Sequence, residues 1–279
     1  MTDSPNASRI VFIGAGNMAS AIFGGMLEGG YPADAIVATS RSQEKRDAIG
    51  QRYGIRTMQD NLAAVGEADV VVLAVKPQMM RDLCLSLRDS VQARRPLVIS
   101  VAAGLDAATL DAWLGGDLAL IRCMPNTPSL VGEGASGLYA NDRVSAAERQ
   151  LATDLLESVG LVEWVEDEAQ IEAVTAISGS GPAYFFLFME SLEAAGIALG
   201  LAPESARRLA LQTAFGAAKM ARESEFDPAE LRRRVTSPNG TTERAIHTFE
   251  EAGLAEIVSR ATHACAERAR ELSSELGQN

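Results

Sequence analysis

Up to residue 165 the chain repeatedly runs apolar without interruption, then turns polar. "RIVFIG" from Arg9, "AIVATS" from Ala35, "ADVVVLAV" from Ala68, "PLVISVAA" from Pro96 and "LALIRCM" from Leu118 are short and rich in Val and Ile. Continuous rather than alternating runs of this length predict strands buried on both faces of a parallel sheet. Helix-sized segments lie between them, among them Met79–Val91 and Leu105–Leu114. Ser145 and Glu148 have the spacing of a capping box and predict a helix over Ala146–Val159. Strands alternating with helices imply a doubly wound α/β domain.

Past "VEWVEDEAQ" the pattern changes. No strand is predicted from Ile171 to Leu276. Ala-rich helices are expected over Ile171–Leu199, Pro203–Glu223, Ala229–Arg234, Thr241–Ala252 and Ala255–Leu276. A boundary near residue 167 therefore divides a Rossmann-type domain, 1–167, from an all-helical domain, 168–279. The stretch "ISGSGPAYFFLFMESLEAAGIALG" is apolar nearly all round, and such a helix must be buried. A second copy of the chain would bury it best, so an oligomer is expected.

Composition narrows the class. The 279 residues are 47% apolar, and 37 acidic against 25 basic side chains leave a net charge of −12. That balance argues against nucleic acid or an anionic membrane as the main partner. Cys84, Cys123 and Cys265 are too few and too far apart for a disulfide framework or a metal pattern, and His247 and His263 have no cysteine neighbours. No metal site is expected. The polar start "MTDSPNASR" and the lack of a long apolar span point to the cytoplasm.

Candidate chemistry begins at "VFIGAGNMASAI". Gly14, Gly16 and Ala19 follow a strand and open a helix in G-x-G-x-x-A spacing. The first glycine makes the turn, the second admits a pyrophosphate, and the small third residue packs helix on strand. A ligand-free tight turn would use the same residues, but the strand, helix and following βαβ pattern favour a dinucleotide. NAD readers carry an acid after the second strand; here Ser40 and Arg41 stand there, a hydroxyl and a guanidinium suited to a 2′-phosphate. NADPH is favoured, with NADH also admissible. "AVKPQ" (Ala74, Val75, Lys76, Pro77) and "VAAG" (Ala102, Ala103) end later strands, where ligands bind in open α/β sheets. Lys76 could be a loop charge, a cofactor contact or a proton donor. Contact is preferred, because an ordinary lysine is a poor acid near neutrality.

"RVTSPNGTTERAI" is overloaded for a simple turn. Gly240 leaves a helix start open, Thr241 and Thr242 add hydroxyls, and the first-turn N–H groups would attract a small carboxylate. A well-capped helix start without a ligand reads the same way.

Taken together, "LAVKP", "CMPNTPSLVGEG", "ISGSGPAYFF", "GAAKM" and "VTSPNGTT" resemble the pyrroline-5-carboxylate reductase family, in order and from about Arg9 to about Arg270. The resemblance implies reduction of the cyclic imine 1-pyrroline-5-carboxylate to proline by NADPH or NADH. It implies that Ser237, Gly240, Thr241 and Thr242 meet the substrate, with the Thr242 hydroxyl facing the ring nitrogen. It places Glu168 and Glu225 near the same site. On the cofactor side it points to Ile13, Gly14, Ala15, Gly16, Asn17, Met18, Ser40, Asn61, Ala74–Pro77, Ala102, Ala103, Asn126 and Thr127. It also implies dimers assembled into decamers. Asn239 departs from the family's usual glycine, and Arg234 stands where a small polar residue is common. A β-hydroxyacid dehydrogenase would need a lysine on the long helix, and Lys45, Lys76 and Lys219 all lie elsewhere. A cofactor-binding sensor would leave the Ser237–Thr242 cradle unexplained.

Overall fold

The computed structural model describes residues 7–277. They divide into two compact units, one of residues up to Ser180 together with those from Cys265 on, and the other Gly181–Ala264.

In the first unit, among the described residues, one sheet holds β1 (Ile10–Ile13), β2 (Ile36–Thr39), β3 (Arg56–Met58), β4 (Val70–Leu73), β5 (Leu97–Ser100), β6 (Leu120–Met124), β7 (Gly134–Ala140) and β8 (Gly160–Trp164). Their order is β3-β2-β1-β4-β5-β6-β7-β8. Every pairing is parallel except β6 with β7. Successive residues of β1 go to opposite faces: Ile10 and Phe12 join one apolar cluster, Val11 and Ile13 the other. Strands covered on both sides are apolar at nearly every position, which is why these runs do not alternate. Helices Asn17–Glu28 and Ala146–Glu157 close one face through Ile22, Phe23, Leu155 and Leu156. Met80–Arg94 closes the other through Met80, Cys84, Leu87 and Val91. The Phe12 and Phe23 rings meet edge-on with centroids 5.4 Å apart. Each such fully buried side chain stabilises the fold by ~1.5–3 kcal/mol.

All five predicted runs are strands, and the Ser145–Glu148 capping box forms in both directions. Three strands were not predicted. β3 is a three-residue edge, β7 carries two glycines, and β8 shows alternate residues to solvent. The expected helix Ile171–Leu199 is interrupted: Gln170–Val174 passes into a π-helical turn, Thr175–Gly179, before Gly181–Ala198 begins. Thr175 and Ser178 hydroxyls donate to main-chain oxygens four residues back, which suits a widened turn.

The second unit consists of Gly181–Ala198, Pro203–Glu223, Pro228–Arg234, Thr241–Glu251 and the first part of Leu254–Gly277. The first two helices approach closely at Gly196, where a Cβ would stand 3.1 Å from that of Ala206. Its apolar side chains outnumber what it buries. Phe185, Phe186, Leu187 and Phe215 are 62–66% exposed, a patch of the kind that marks a protein–protein face. No helix of the described residues is long and apolar enough to cross a membrane.

Candidate active site

The sheet order reverses direction at β1, whose neighbours are β2 and β4, and the carboxyl ends of strands at such a switch form a crevice. A cleft of about 450 Å³ opens there, lined by Ile13, Gly14, Ala15, Ser40, Arg41, Asn61 and Val75, all expected from the sequence. Gly14 has φ +97°, and a Cβ on it would lie 2.8 Å from the Ala74 carbonyl oxygen. Backbone strain and collision both require glycine here. At Gly16 a built Cβ meets nothing within 4 Å. That open face is what a pyrophosphate needs for close approach, so the residues present fit a dinucleotide. Gly16 is also the N-cap of Asn17–Glu28, with no side-chain cap and no acid in the first turn. The N–H groups around Asn17 and Met18 and the helix dipole are left for an anion.

Thr39 was missed from sequence. Its buried hydroxyl accepts the Gly14 N–H at 3.2 Å and ties the glycine loop to β2. Gln78, Asp82 and Ser86 also line the cleft, from a segment that reads as an ordinary helix surface. Lys76 is exposed and precedes the 3₁₀ turn Pro77–Met79. Ala102 donates its N–H to Ser100 Oγ at 3.4 Å, and Ala103 is exposed in the following turn.

Two expected contacts have their polar atoms engaged within the protein. Asn126 is buried, donates from Nδ2 to the Ser178 carbonyl (3.0 Å) and accepts the Ala135 N–H (2.9 Å). It joins β7 to the π-helical turn, while Thr127 beside it is exposed. Glu168 pairs through Oε1 with the buried Arg122 (2.8 Å) and accepts the Ala107 N–H (2.6 Å). Both line a separate hollow of about 530 Å³ with Arg270 and Ser273. The burial of Cys84 and Cys123 pushes their thiols up to about 12. They are core residues without nucleophilic character.

In the helical unit, Ser237, Gly240, Thr241 and Thr242 come together in one turn and helix start. The Gly240 N–H donates to Ser237 O at 3.0 Å. Pro238 takes the second position of that turn and Asn239, with φ +58°, the third. This is type II chemistry, in which the third residue must be Gly or Asn. Asn239 therefore supplies the positive φ that a glycine would give at this position. A Cβ on Gly240 would stand 2.9 Å from Ser237 O, so only glycine closes the loop. Glu243 turns back to accept the Asn239 N–H at 2.7 Å. Ser237, Thr241 and Thr242 remain exposed. Glu225 is exposed as well, beside Phe226, over whose ring the Arg234 guanidinium sits at 3.6 Å. His247 is exposed 3.7 Å from Glu251, and Lys219 pairs with Glu223 at 2.6 Å. Both are surface residues.

Comparison with known proteins covers nearly the whole chain. Residues 168–272 match a family model described as pyrroline-5-carboxylate reductase dimerisation, and residues 9–104 one described as NADP oxidoreductase coenzyme F420-dependent. A pyrroline-5-carboxylate reductase of Pseudomonas aeruginosa is 53% identical over 270 residues, 97% of this chain and 98% of that protein. A solved pyrroline-5-carboxylate reductase from Coxiella burnetii is 47% identical, with a TM-score of 0.93 over 96% of this chain and 99% of that one. The Plasmodium falciparum pyrroline carboxylate reductase, solved with NADP bound, is 28% identical with a TM-score of 0.83, over 95% of this chain and 98% of its own.

Proposed function

We infer, because the chain belongs to the pyrroline-5-carboxylate reductase family, that it reduces 1-pyrroline-5-carboxylate to L-proline with NAD(P)H, the last step of proline biosynthesis. It self-associates through its helical region. The crevice beside β1, lined by Ile13, Gly14, Ala15, Ser40 and Arg41, would hold NAD(P)H, which would supply the hydride that the imine carbon accepts.

The residues of this chain divide the remaining work. We assign cofactor binding to 1–167, with Ile13–Met18, Asn61 and Ala74–Pro77 along the cleft and Ala102, Ala103 and Thr127 at its far end. Ser40 and Arg41 take the 2′-phosphate, which favours NADPH. We assign substrate binding and self-association to 168–279. The Thr241 and Thr242 N–H groups, with the Ser237 and Thr241 hydroxyls, hold the carboxylate, and Gly240 leaves its approach open. Thr242 orients the ring nitrogen and passes it a proton drawn from solvent. The imine nitrogen is itself basic, so no strong protein acid is needed. Holding the two reactants in register contributes up to ~7–11 kcal/mol. Glu225 lies ahead of this loop, before the helix Pro228–Arg234 that leads into it, and Glu168 acts through Arg122 and the Ala107 helix start.

The observation that carries the substrate assignment is the type II turn at Ser237–Gly240 delivering two threonines to a helix start. Dimers assembled into decamers, a cytoplasmic location supported by three free thiols, and the absence of nucleic-acid or membrane partners complete the reading. The test follows NADPH absorbance with purified protein and 1-pyrroline-5-carboxylate, NADH in parallel and proline measured as product. Oxidation matched by proline is expected. Cofactor binding without oxidation would overturn it in favour of a sensor.

A further inference from the structure

Arg46 lies in the first turns of the helix Gln43–Tyr53, in a stretch, "QEKRDAIG", that reads as polar surface. Its neighbours Lys45 and Asp47 are exposed, but Arg46 is only 8% exposed. The guanidinium donates to the Ser40 carbonyl at 2.6 Å and to the Arg41 carbonyl at 3.0 Å. It also donates to Gln43 Oε1 and, at 3.5 Å, to Gln59 Oε1. All four acceptors are neutral, and among the described residues no carboxylate pairs with it. Burying a cation without a counter-charge is costly, and a purely structural clamp could use a neutral amide.

The orientation of the loop follows from this clamp. In a planar trans peptide the C=O and the next N–H point in opposite directions. Drawing the Ser40 and Arg41 carbonyls onto Arg46 therefore turns the N–H groups of Arg41 and Ser42 away from it. Among the described residues neither N–H has a partner within the protein. Ser40 and Arg41 line the cofactor cleft. A loop held this way presents two free donors, a hydroxyl and a guanidinium, with an unneutralised positive charge behind it. That is a preset receptor for a dianion.

We propose that Arg46 is a positioning residue that selects the 2′-phosphorylated cofactor, by fixing the Ser40–Ser42 backbone and by leaving its own charge uncompensated beneath it. The proposal rests on the reading that Ser40 and Arg41 take the 2′-phosphate. Arg46 itself does not touch the ligand.

The test uses the full-length enzyme with Arg46→Met, Arg46→Lys and, as a reference, Arg41→Ala. Calorimetry compares adenosine 2′,5′-bisphosphate with AMP, and kinetics compare kcat/KM for NADPH and NADH. Arg46→Met should weaken the bisphosphate about tenfold or more while AMP changes less than about threefold, as expected when the donors it orients and the charge behind them no longer favour the 2′-phosphate. The NADPH/NADH ratio should fall in parallel. Arg46→Lys keeps the charge but cannot bridge both carbonyls, so its loss should be intermediate; it decides the matter if Arg46→Met does not fold. Equal losses for both ligands, or no loss, would overturn the proposal, because a merely structural residue moves both alike. If Arg41→Ala leaves the ratio unchanged, the 2′-phosphate reading itself fails. If Arg41→Ala shifts it and the Arg46 variants do not, only the role of Arg46 falls.

Discussion

Val70–Leu73 and Phe185–Phe188 are both unbroken apolar runs, "VVVL" and "FFLF", yet they meet opposite fates in one chain. The first is 0–3% exposed at the centre of the sheet, whereas the second is 48–66% exposed. The strand finds helices on both sides within its own unit. The helix packs on Pro203–Glu223 within its own unit and leaves much of its apolar surface exposed, in a region that matches a dimerisation model. Hydrophobicity reports that a segment must be covered, not by what. The sheet unit covers its own apolar runs, while the helical unit leaves its own open.

The largest effect that tests this contrast is expected from Phe186→Glu. A charge on the exposed apolar helix should abolish self-association, read by light scattering, and lower turnover at least ~100-fold, the scale of a desolvated unpaired charge. NADPH binding should survive. An associated, active variant would break the contrast. Gly14→Ala should do the reverse. The strain at φ +97° and the approach to Ala74 O cost ~1–3 kcal/mol, so NADPH affinity measured by fluorescence titration should fall ~10–100-fold with association intact. Thr242→Ala should lower kcat about tenfold, one hydrogen bond's worth, with the melting temperature unmoved. The smallest change is expected from Asn239→Gly, within ~1 kcal/mol by denaturant titration, since both residues accept a positive φ. Asn239→Val should cost clearly more.

The legible parts of this chain are those where one local rule acts alone. β1, β2, β4, β5 and β6 are apolar on both faces and stand out from their surroundings. β7 is "GASGLYA", recruited by the antiparallel edge of β6 rather than by its own propensity. The π-helical turn falls within what the sequence predicts as one unbroken helix, and its start at Thr175 depends on hydroxyls choosing main-chain partners. Among the candidate residues, the turns at Gly14, Gly16 and Ser237–Gly240 were readable because backbone geometry dictates their residue types. Thr39, Arg46 and the engagement of Glu168 with Arg122 were not. Each depends on which distant group a polar side chain reaches, and spacing along the chain carries no record of that.

The Asn239–Gly240 turn also bears on how the enzyme ages. In Asn-Gly pairs the glycine nitrogen attacks the neighbouring carboxamide and releases ammonia, and water then reopens the ring to aspartate or isoaspartate, one reason asparagine is thermolabile. Here that nitrogen's hydrogen is held by Ser237 O at 3.0 Å, so the turn must open before the reaction begins. Folded protein stored at alkaline pH should keep Asn239 intact on peptide mapping, and urea-treated protein should lose it. The converted loop would set a second carboxylate beside Glu243, where it would repel the substrate's own. The molecule's chemical shelf life is thus tied to the persistence of a single turn.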